Sequence, residues 1–529
     1  MRLGFSYVGL LYLIMLMVPN MVWAKHKPEN YERYAGNENR LLLALERIGE
    51  VLVSCTALIF SDFNLRPWTL WCVWLIISFA LMILYEIYWI RYFASGHKMK
   101  DMYRGICGIP VAGASLPVAA FFLLGVYGVN FPMMLFSVIL GIGHIGIHLA
   151  HAREAAAEEG AVPRRKSLPR RIIRGIIAAV SALALVVTSA AVFCRDANHL
   201  CRWTDVINGV DEQGYIDLNG QEQYVMLTGS NTDNPVVIYL HGGPASPDTI
   251  CTYAFSDRLK DRYTFVFWEQ RGCGRTYYRN AGKDPKNLSV SFEKALIDLD
   301  KLVDYARERF GKDKVIIMGH SYGTVLGSRY VLAHPEKVSA YIAVAQVVAS
   351  VDVDMYSYDD ALSRAKAAGE DTSELEAALN TYKSSPGIEN LLALRQTVSR
   401  YHPVTLESRD TWYAVTSPYF GVDDMRWYIK QLGDTSDFIA LNQQLMAYTF
   451  LFRADDGSMN YDVPVYFISG SEDWVCPVDM VKEYMEKISA PDKDIYVIDG
   501  CGHSVQYTLP DRFAQAVGEI LERSERQAS

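Results

Sequence analysis

A chain of 529 residues is too long for one ordinary domain, and its 50% hydrophobic and 21% charged residues average two unlike populations. The formal net charge of −9 argues against a nucleic-acid partner. Nine cysteines without CxxC or Cys/His ligand spacing exclude a zinc ribbon or a small disulfide scaffold.

Apolar runs long enough to cross a hydrocarbon core crowd the first 195 positions. Five spans are predicted at 4–23, 68–90, 106–129, 131–149 and 175–194. A sixth run, 41–60, carries Glu46, Arg47 and Glu50, each of which costs about 2.5–3.5 kcal/mol near a helix centre. Glu46 and Glu50 fall one turn apart on one face, so an interfacial position competes with crossing. Residues 1–202 therefore read as a multi-span transmembrane module of five or six helices. The first run also resembles a secretory signal ending at Val22-Trp23-Ala24, but its apolar stretch is longer than a usual signal core, and it is read as a retained span.

Loop charges give an orientation. Arg91, Lys98, Lys100 and Arg104 follow the second span, and Arg153, Arg164, Arg165, Lys166, Arg170, Arg171 and Arg174 precede the last. Both loops are expected on the cytoplasmic side. The intervening spans form a hairpin whose Val129-Asn130 turn carries no basic residue and faces out. The last span then runs outward, which places everything after Cys194 on the extracytoplasmic face of the cell membrane whether or not 41–60 crosses. His144, His148 and His151 share one helical face at i, i+4 and i+7, a spacing that suits a metal or haem. No carboxylate or cysteine is seen to complete a set with them, so they are expected to pack between helices, and no metal or cofactor is predicted.

From about Gly209 the pattern changes to short β-rich runs. "YIDLNG" and "QYVMLTG" predict an opening hairpin, followed by "VVIYLHGG", "YTFVFWEQ", an amphipathic helix through "FEKALIDLDKLVDYARERFG", "KVIIMGH" and "VSAYIAVAQ". Apolar strands alternating with helices indicate a largely parallel sheet covered on both faces, so residues 203–529 read as an α/β domain. A helical stretch at about 350–461 interrupts the rhythm and reads as an insertion before "VPVYFISG" and "KDIYVIDG" resume the sheet.

Gly319-His320-Ser321-Tyr322-Gly323 matches the G-x-S-x-G nucleophile elbow, with a strand before it and a helix after. A serine hydroxyl needs a histidine to take its proton and a carboxylate to fix that histidine's tautomer. Asp473 after "VYFISG" and His503 in "IDGCGHS" follow in the order Ser, Asp, His that α/β-hydrolases use; Glu472 is the alternative acid. The expected oxyanion donors are the backbone N–H groups of Tyr322 and of Gly243 in "LHGGP".

His241-Gly242-Gly243-Pro244, Glu269-Gln270-Arg271-Gly272-Cys273-Gly274-Arg275-Thr276, the elbow, and "HPEKV" together resemble the prolyl aminopeptidase (proline iminopeptidase) family of α/β-hydrolases, over about 210–350 and 460–515. The resemblance implies serine-dependent removal of an N-terminal residue, often proline, from short peptides, with a helical cap inserted over the site. It makes His241, Gly242, Glu269 and His320 candidates for the substrate pocket. It also implies that acidic residues of the cap grip the substrate amine, with Asp352, Asp354, Asp359, Asp360 and Glu370 available. Three places depart from the family pattern: His320 and Tyr322 flank the serine where Gly and Trp are usual, Ala245 ends HGGPA where Gly is usual, and Glu269 replaces Asp.

The expected function is a membrane-anchored serine hydrolase, an aminopeptidase of this type. An esterase or lipid-directed acyl hydrolase is the alternative, and a non-catalytic sensory or binding module the second. The expected partners are a small peptide or ester and the lipid bilayer; the oligomeric state is left open.

Overall fold

The computed structural model describes residues 3–36, 38–158, 176, 180, 183, 184, 186–198, 209–402, 408–433 and 435–528. The chain forms two compact units, Met1–Cys201 and Arg202–Ser529.

In the first unit the apolar runs become the helices Tyr7–Trp23, Val73–Phe93, Ala112–Gly128 and Phe131–Glu158. By length and composition Leu70–Phe93 and Phe131–Glu158 are able to cross a membrane, whereas Tyr7–Trp23 and Ala112–Gly128 are apolar but shorter. The third run starts later than its hydrophobicity suggests, because Gly108 (φ 82°) and Val111 (φ 41°) hold the backbone in the left-handed region just ahead of Ala112. Run 41–60 is the helix Arg40–Ile59, capped by Asn39, whose side chain accepts from the N–H groups of Leu41 and Leu42. The hairpin turn is as tight as predicted: Val129 is left-handed, and Asn130 Oδ1 accepts from Met133 N–H at 3.0 Å to start the next helix. The basic residues from Arg164 to Arg174, and much of the predicted span 175–194, lie outside the described residues. The helical segment 186–198 returns to the hairpin tip, where Asp196 Oδ2 accepts from Phe131 N–H at 2.7 Å.

The histidine face is not merely packed between helices. A Cβ on Gly143 would lie 2.3 Å from Glu46 N, and one on Gly49 would lie 2.5 Å from Leu140 Cα, so these glycines let the helices Arg40–Ile59 and Phe131–Glu158 touch backbone to backbone. Glu46 consequently reaches His144 Nδ1 in a short hydrogen bond. Glu46, on a helix distant in the chain, is thus a partner for His144 that sequence spacing did not reveal.

The second unit is built on an eight-stranded sheet in the order β1-β2-β4-β3-β5-β6-β7-β8. The strands are β1 (Val210–Leu218), β2 (Gln221–Gly229), β3 (Val236–Leu240), β4 (Thr264–Trp268), β5 (Val315–His320), β6 (Val338–Val344), β7 (Val465–Gly470) and β8 (Lys493–Ile498). The first two pair as a hairpin in the register Leu218↔Gln221, turning through Asn219 and Gly220, both at positive φ. Strand β2 joins β4 antiparallel, and all later pairings are parallel. Strands β3, β4, β5 and β7 are buried at every residue, as continuous apolar strands under helices on both faces must be.

Helix Phe292–Phe310 starts at Ser291, whose hydroxyl accepts from Lys294 N–H, and ends at left-handed Gly311. Its buried Asp298 receives Nε and Nη2 of Arg271 at 2.7 and 2.8 Å and Nε2 of Gln223 at 2.7 Å. Arg271 of the EQRG stretch is thereby a buried anchor for the loop after β4.

The insertion between β6 and β7 is helical as predicted, running from Ser350–Ala368 to Gln443–Phe450. Its last part is not a separate layer: Leu445, Phe452, Ala454 and Tyr461 belong to the hydrophobic core beneath the sheet.

Candidate active site

Strand β5 delivers Ser321 into a sharp turn at φ 52° and ψ −121°, a conformation a non-glycine residue holds only when its surroundings impose it. The two elbow glycines explain how. A Cβ on Gly319 would lie 2.4 Å from Gly323 O, and one on Gly323 would lie 2.1 Å from Leu240 O, so strand, turn and helix close on each other only with glycine at both places. Tyr322 opens the helix Tyr322–Ala333, where a backbone N–H has no acceptor within the helix.

The loop after β3 lies against this turn. A Cβ on Gly242 would stand 3.1 Å from Ser321 Cβ and 3.2 Å from His320 Nδ1. Gly243 holds φ 119°, where a side chain would strike Ala245 N at 2.7 Å. Main-chain N–H groups of this loop can therefore approach a group bound at Ser321 without a side chain in the way.

Loops after β7 and β8 bring the other two residues together. His503 Nδ1 lies 3.0 Å from Asp473 Oδ2 and 3.2 Å from Oδ1, which leaves Nε2 as the outward ring nitrogen. Asp473 has a fully buried side chain, and its Oδ1 accepts from the N–H groups of Val475 and Cys476 at 2.9 Å each. Asp473, and not Glu472, faces the imidazole. Cys476 adds a thiol so that ligand atoms of Asp473, Cys476 and His503 lie within 4.8 Å of one another. Burial pushes that thiol well above its usual range, which keeps it protonated and a poor metal ligand. Cys476 and Cys501 are both free thiols, so no disulfide joins these loops.

Three of the predicted pocket residues have other tasks. His320 is 7% exposed and its Nε2 donates to His503 O at 3.1 Å, with the two rings 5.1 Å apart, so it fixes the loop that carries His503. Burial lowers its pKa to about 3 and keeps the imidazole neutral. His241 is fully buried: Nδ1 donates to Gly242 O at 2.8 Å and Nε2 accepts from Gln270 N–H at 3.3 Å, and burial lowers its pKa to about 4. Glu269, 1% exposed, accepts from Thr249 Oγ1 at 2.8 Å and from Arg275 N–H at 2.6 Å, and burial pushes its carboxyl up to about 7. His241 and Glu269 are walls behind the loops, not surfaces toward a substrate.

Sequence reasoning missed how the insertion engages the site. Trp427 Nε1 donates to Ala245 O at 2.9 Å, and Gln431 Nε2 donates to the same oxygen at 3.2 Å and to Ser246 Oγ at 2.9 Å. Arg275 Nη2 donates to Tyr419 O at 2.5 Å and to Asp424 Oδ2 at 2.6 Å. On the acid side, Ser357 Oγ donates to Trp474 O at 2.6 Å, and His402 stacks on the Trp474 ring. The insertion therefore grips the glycine loop and the Asp473 loop together. Of the cap acids considered for amine binding, Asp352 pairs with Arg453, Asp354 with Arg395 and Asp360 with Arg364.

A doubly wound sheet, a strained serine between a strand and a helix, and an Asp–His pair on the following loops define an α/β-hydrolase. Residues 235–510 match the alpha/beta hydrolase fold family, and the chain belongs to it. Among curated proteins it is related to the probable aminopeptidase YbaC of Bacillus subtilis (strain 168), at 24% identity over 314 residues, 57% of this chain and 93% of that protein. It is also related to the proline iminopeptidase of Neisseria gonorrhoeae, at 31% identity over 132 residues, 24% of this chain and 38% of that protein. The proline iminopeptidase of Saccharolobus solfataricus is 32% identical over 127 residues, 24% of this chain and 37% of that protein. The match thus spans less than two fifths of the length of these two iminopeptidases.

Proposed function

We propose that the chain is a membrane-anchored serine hydrolase, an aminopeptidase of the prolyl aminopeptidase type acting on short peptides outside the cytoplasm. The observation that carries the chemistry is Ser321 held at φ 52° at the head of a helix, with Asp473 directing His503 by its Nδ1. Ser321 Oγ attacks the acyl carbon while His503 Nε2 takes its proton. The oxyanion that forms accepts hydrogen bonds from Tyr322 N–H and Gly243 N–H. Collapse breaks the acyl–nitrogen bond, and His503 returns the proton to the departing amine. Water, deprotonated by His503, then attacks the acyl-enzyme and frees Ser321. Asp473 holds the imidazolium in place through Nδ1.

The aminopeptidase reading is supported by the relationship to YbaC, which extends over most of that protein, and by the HGGP and EQRGCGR stretches. The pairing of Asp352, Asp354 and Asp360 with arginines favours a second reading, an esterase or lipid-directed acyl hydrolase, because it leaves those three acids already neutralised.

Anchoring is supported by the outward display of large apolar residues on the N-terminal helices, such as Ile76, Ile83, Ile87, Ile90, Leu135 and Ile142. The contact of Asp196 with the hairpin tip supports an exit of the last helix on the same side as the uncharged Val129-Asn130 turn. Purified full-length protein offered Pro-, Ala- and Leu-anilides beside short and long acyl esters tests the reading. Turnover of the anilides above the esters is expected; ester turnover with inert anilides contradicts the aminopeptidase reading and supports the second.

A further inference from the structure

We propose that the N-terminal helical unit holds a first-row divalent metal ion of the zinc type, coordinated by Glu46, Glu50 and His144. The ligand atoms of these three side chains lie within 4.8 Å of one another. Metal–nitrogen and metal–oxygen bonds of about 2.0–2.2 Å place the donors of one ion within roughly twice that distance, so small side-chain adjustments close the set. The arrangement arises at the closest approach of two helices, where Gly143 has no side chain over Glu46 N and Gly146 faces Leu42.

The electrostatics favour an ion. Glu46 is 9% exposed where the two helices pack together, and a buried carboxylate needs a counter-charge. It shares one hydrogen with His144 Nδ1 in a short hydrogen bond. Binding replaces that proton: it leaves to solvent, and the Nδ1 lone pair and Glu46 Oε1 turn to the metal. Glu50 is bonded to Arg47 at 3.1 Å, an exposed pair that contributes little and yields readily to a divalent cation.

Beside His144, with ring centroids 4.4 Å apart, His148 keeps a buried Nδ1 without a hydrogen-bond partner. It lies beside the set, outside the three donors that already converge. A packing role needs only the His144–Glu46 pair and leaves that nitrogen unexplained. Imidazole with carboxylates suits Zn2+, Fe2+ or Ni2+ better than Mg2+ or Ca2+, which take oxygen ligands. The inference rests on the N-terminal unit alone and stands or falls independently of the hydrolase chemistry.

Full-length protein in detergent, stripped with a chelator and titrated with Co2+, tests it. One equivalent per chain is expected, with visible d–d absorption that Zn2+ abolishes. Glu46→Gln and His144→Gln, checked for wild-type elution and melting, are expected to weaken Co2+ binding at least ~10-fold. Glu50→Gln, at a more exposed position, serves if either variant is misfolded. A wild-type chain that takes up no stoichiometric Co2+ overturns the proposal. So does binding unchanged in the variants, or a thiolate-to-cobalt charge-transfer band that locates the ion at Cys476 instead.

Discussion

Ser321 is partly exposed at a turn whose φ of 52° is imposed by its surroundings. Replacing it by alanine removes a hydroxyl and no packing, so Ser321→Ala is expected to keep its fold and lose about a million-fold in kcat, and His503→Ala a similar amount, because such residues act as a unit. Assays of both variants against a small activated ester check this. Ala245 makes a contrasting case. Its φ of 62° is the left-handed region, and its carbonyl is held there by Trp427 and Gln431. Ala245→Gly should therefore stabilise the chain by about 1 kcal/mol, seen as a raised melting temperature, with little change in turnover.

His241 and His320 set a pH dependence at the same scale. Their folded pKa values, about 4 and about 3, lie below the ordinary 6.5, so between those values the unfolded chain binds more protons and stability rises with pH. Acidification from pH 8 to pH 5 is expected to cost roughly 2 kcal/mol for each histidine. His320→Asn should shift the stability difference between the two pH values by roughly 2 kcal/mol in denaturant unfolding. An unchanged loss would mean that His320 is protonated in the folded state.

At the scale of elements, the insertion is a clamp on two catalytic loops. Trp427, 2% exposed, packs with Ala245 and Cys273 and bonds to the glycine loop, so Trp427→Ala is expected to destabilise by about 3 kcal/mol and to blunt discrimination among peptide substrates. Turnover of a small activated ester, which needs no cap contact, should change far less; equal losses on both substrates would mean that the cap only supports the fold.

The strands, the hairpin at Asn219-Gly220 and the elbow were readable because each is written in a few adjacent residues. Asp473 and His503 were readable because chain order and strand spacing constrain them. What sequence could not supply was partnership across the chain. His320 meets His503 O, 183 residues away, and His144 meets Glu46, 98 residues away. Neither pairing has a local pattern, because helix and strand packing creates it. His241 and Glu269 were assigned to a pocket for the same reason: proximity in a motif does not tell which side of a loop a side chain occupies.

For the whole molecule the account predicts a hydrolase tethered close to the bilayer on its outer face. The proposed direction rests on the uncharged turn between Val129 and Asn130, with Asp196 bonded beside it at Phe131, and on the basic residues that the sequence carries beyond the other ends of those helices. In cells with any outer envelope permeabilised, a membrane-impermeant thiol reagent should reach a cysteine placed at Ser458 and not one placed at Ser167. The reverse pattern would put the enzyme in the cytoplasm. The proposed chemistry turns on one event, acylation of a single serine. Treatment of the full-length protein with a fluorophosphonate, followed by peptide mass mapping, tests that event most directly. The account predicts one stoichiometric adduct on Ser321 that is absent from Ser321→Ala; labelling undiminished in Ser321→Ala would contradict it.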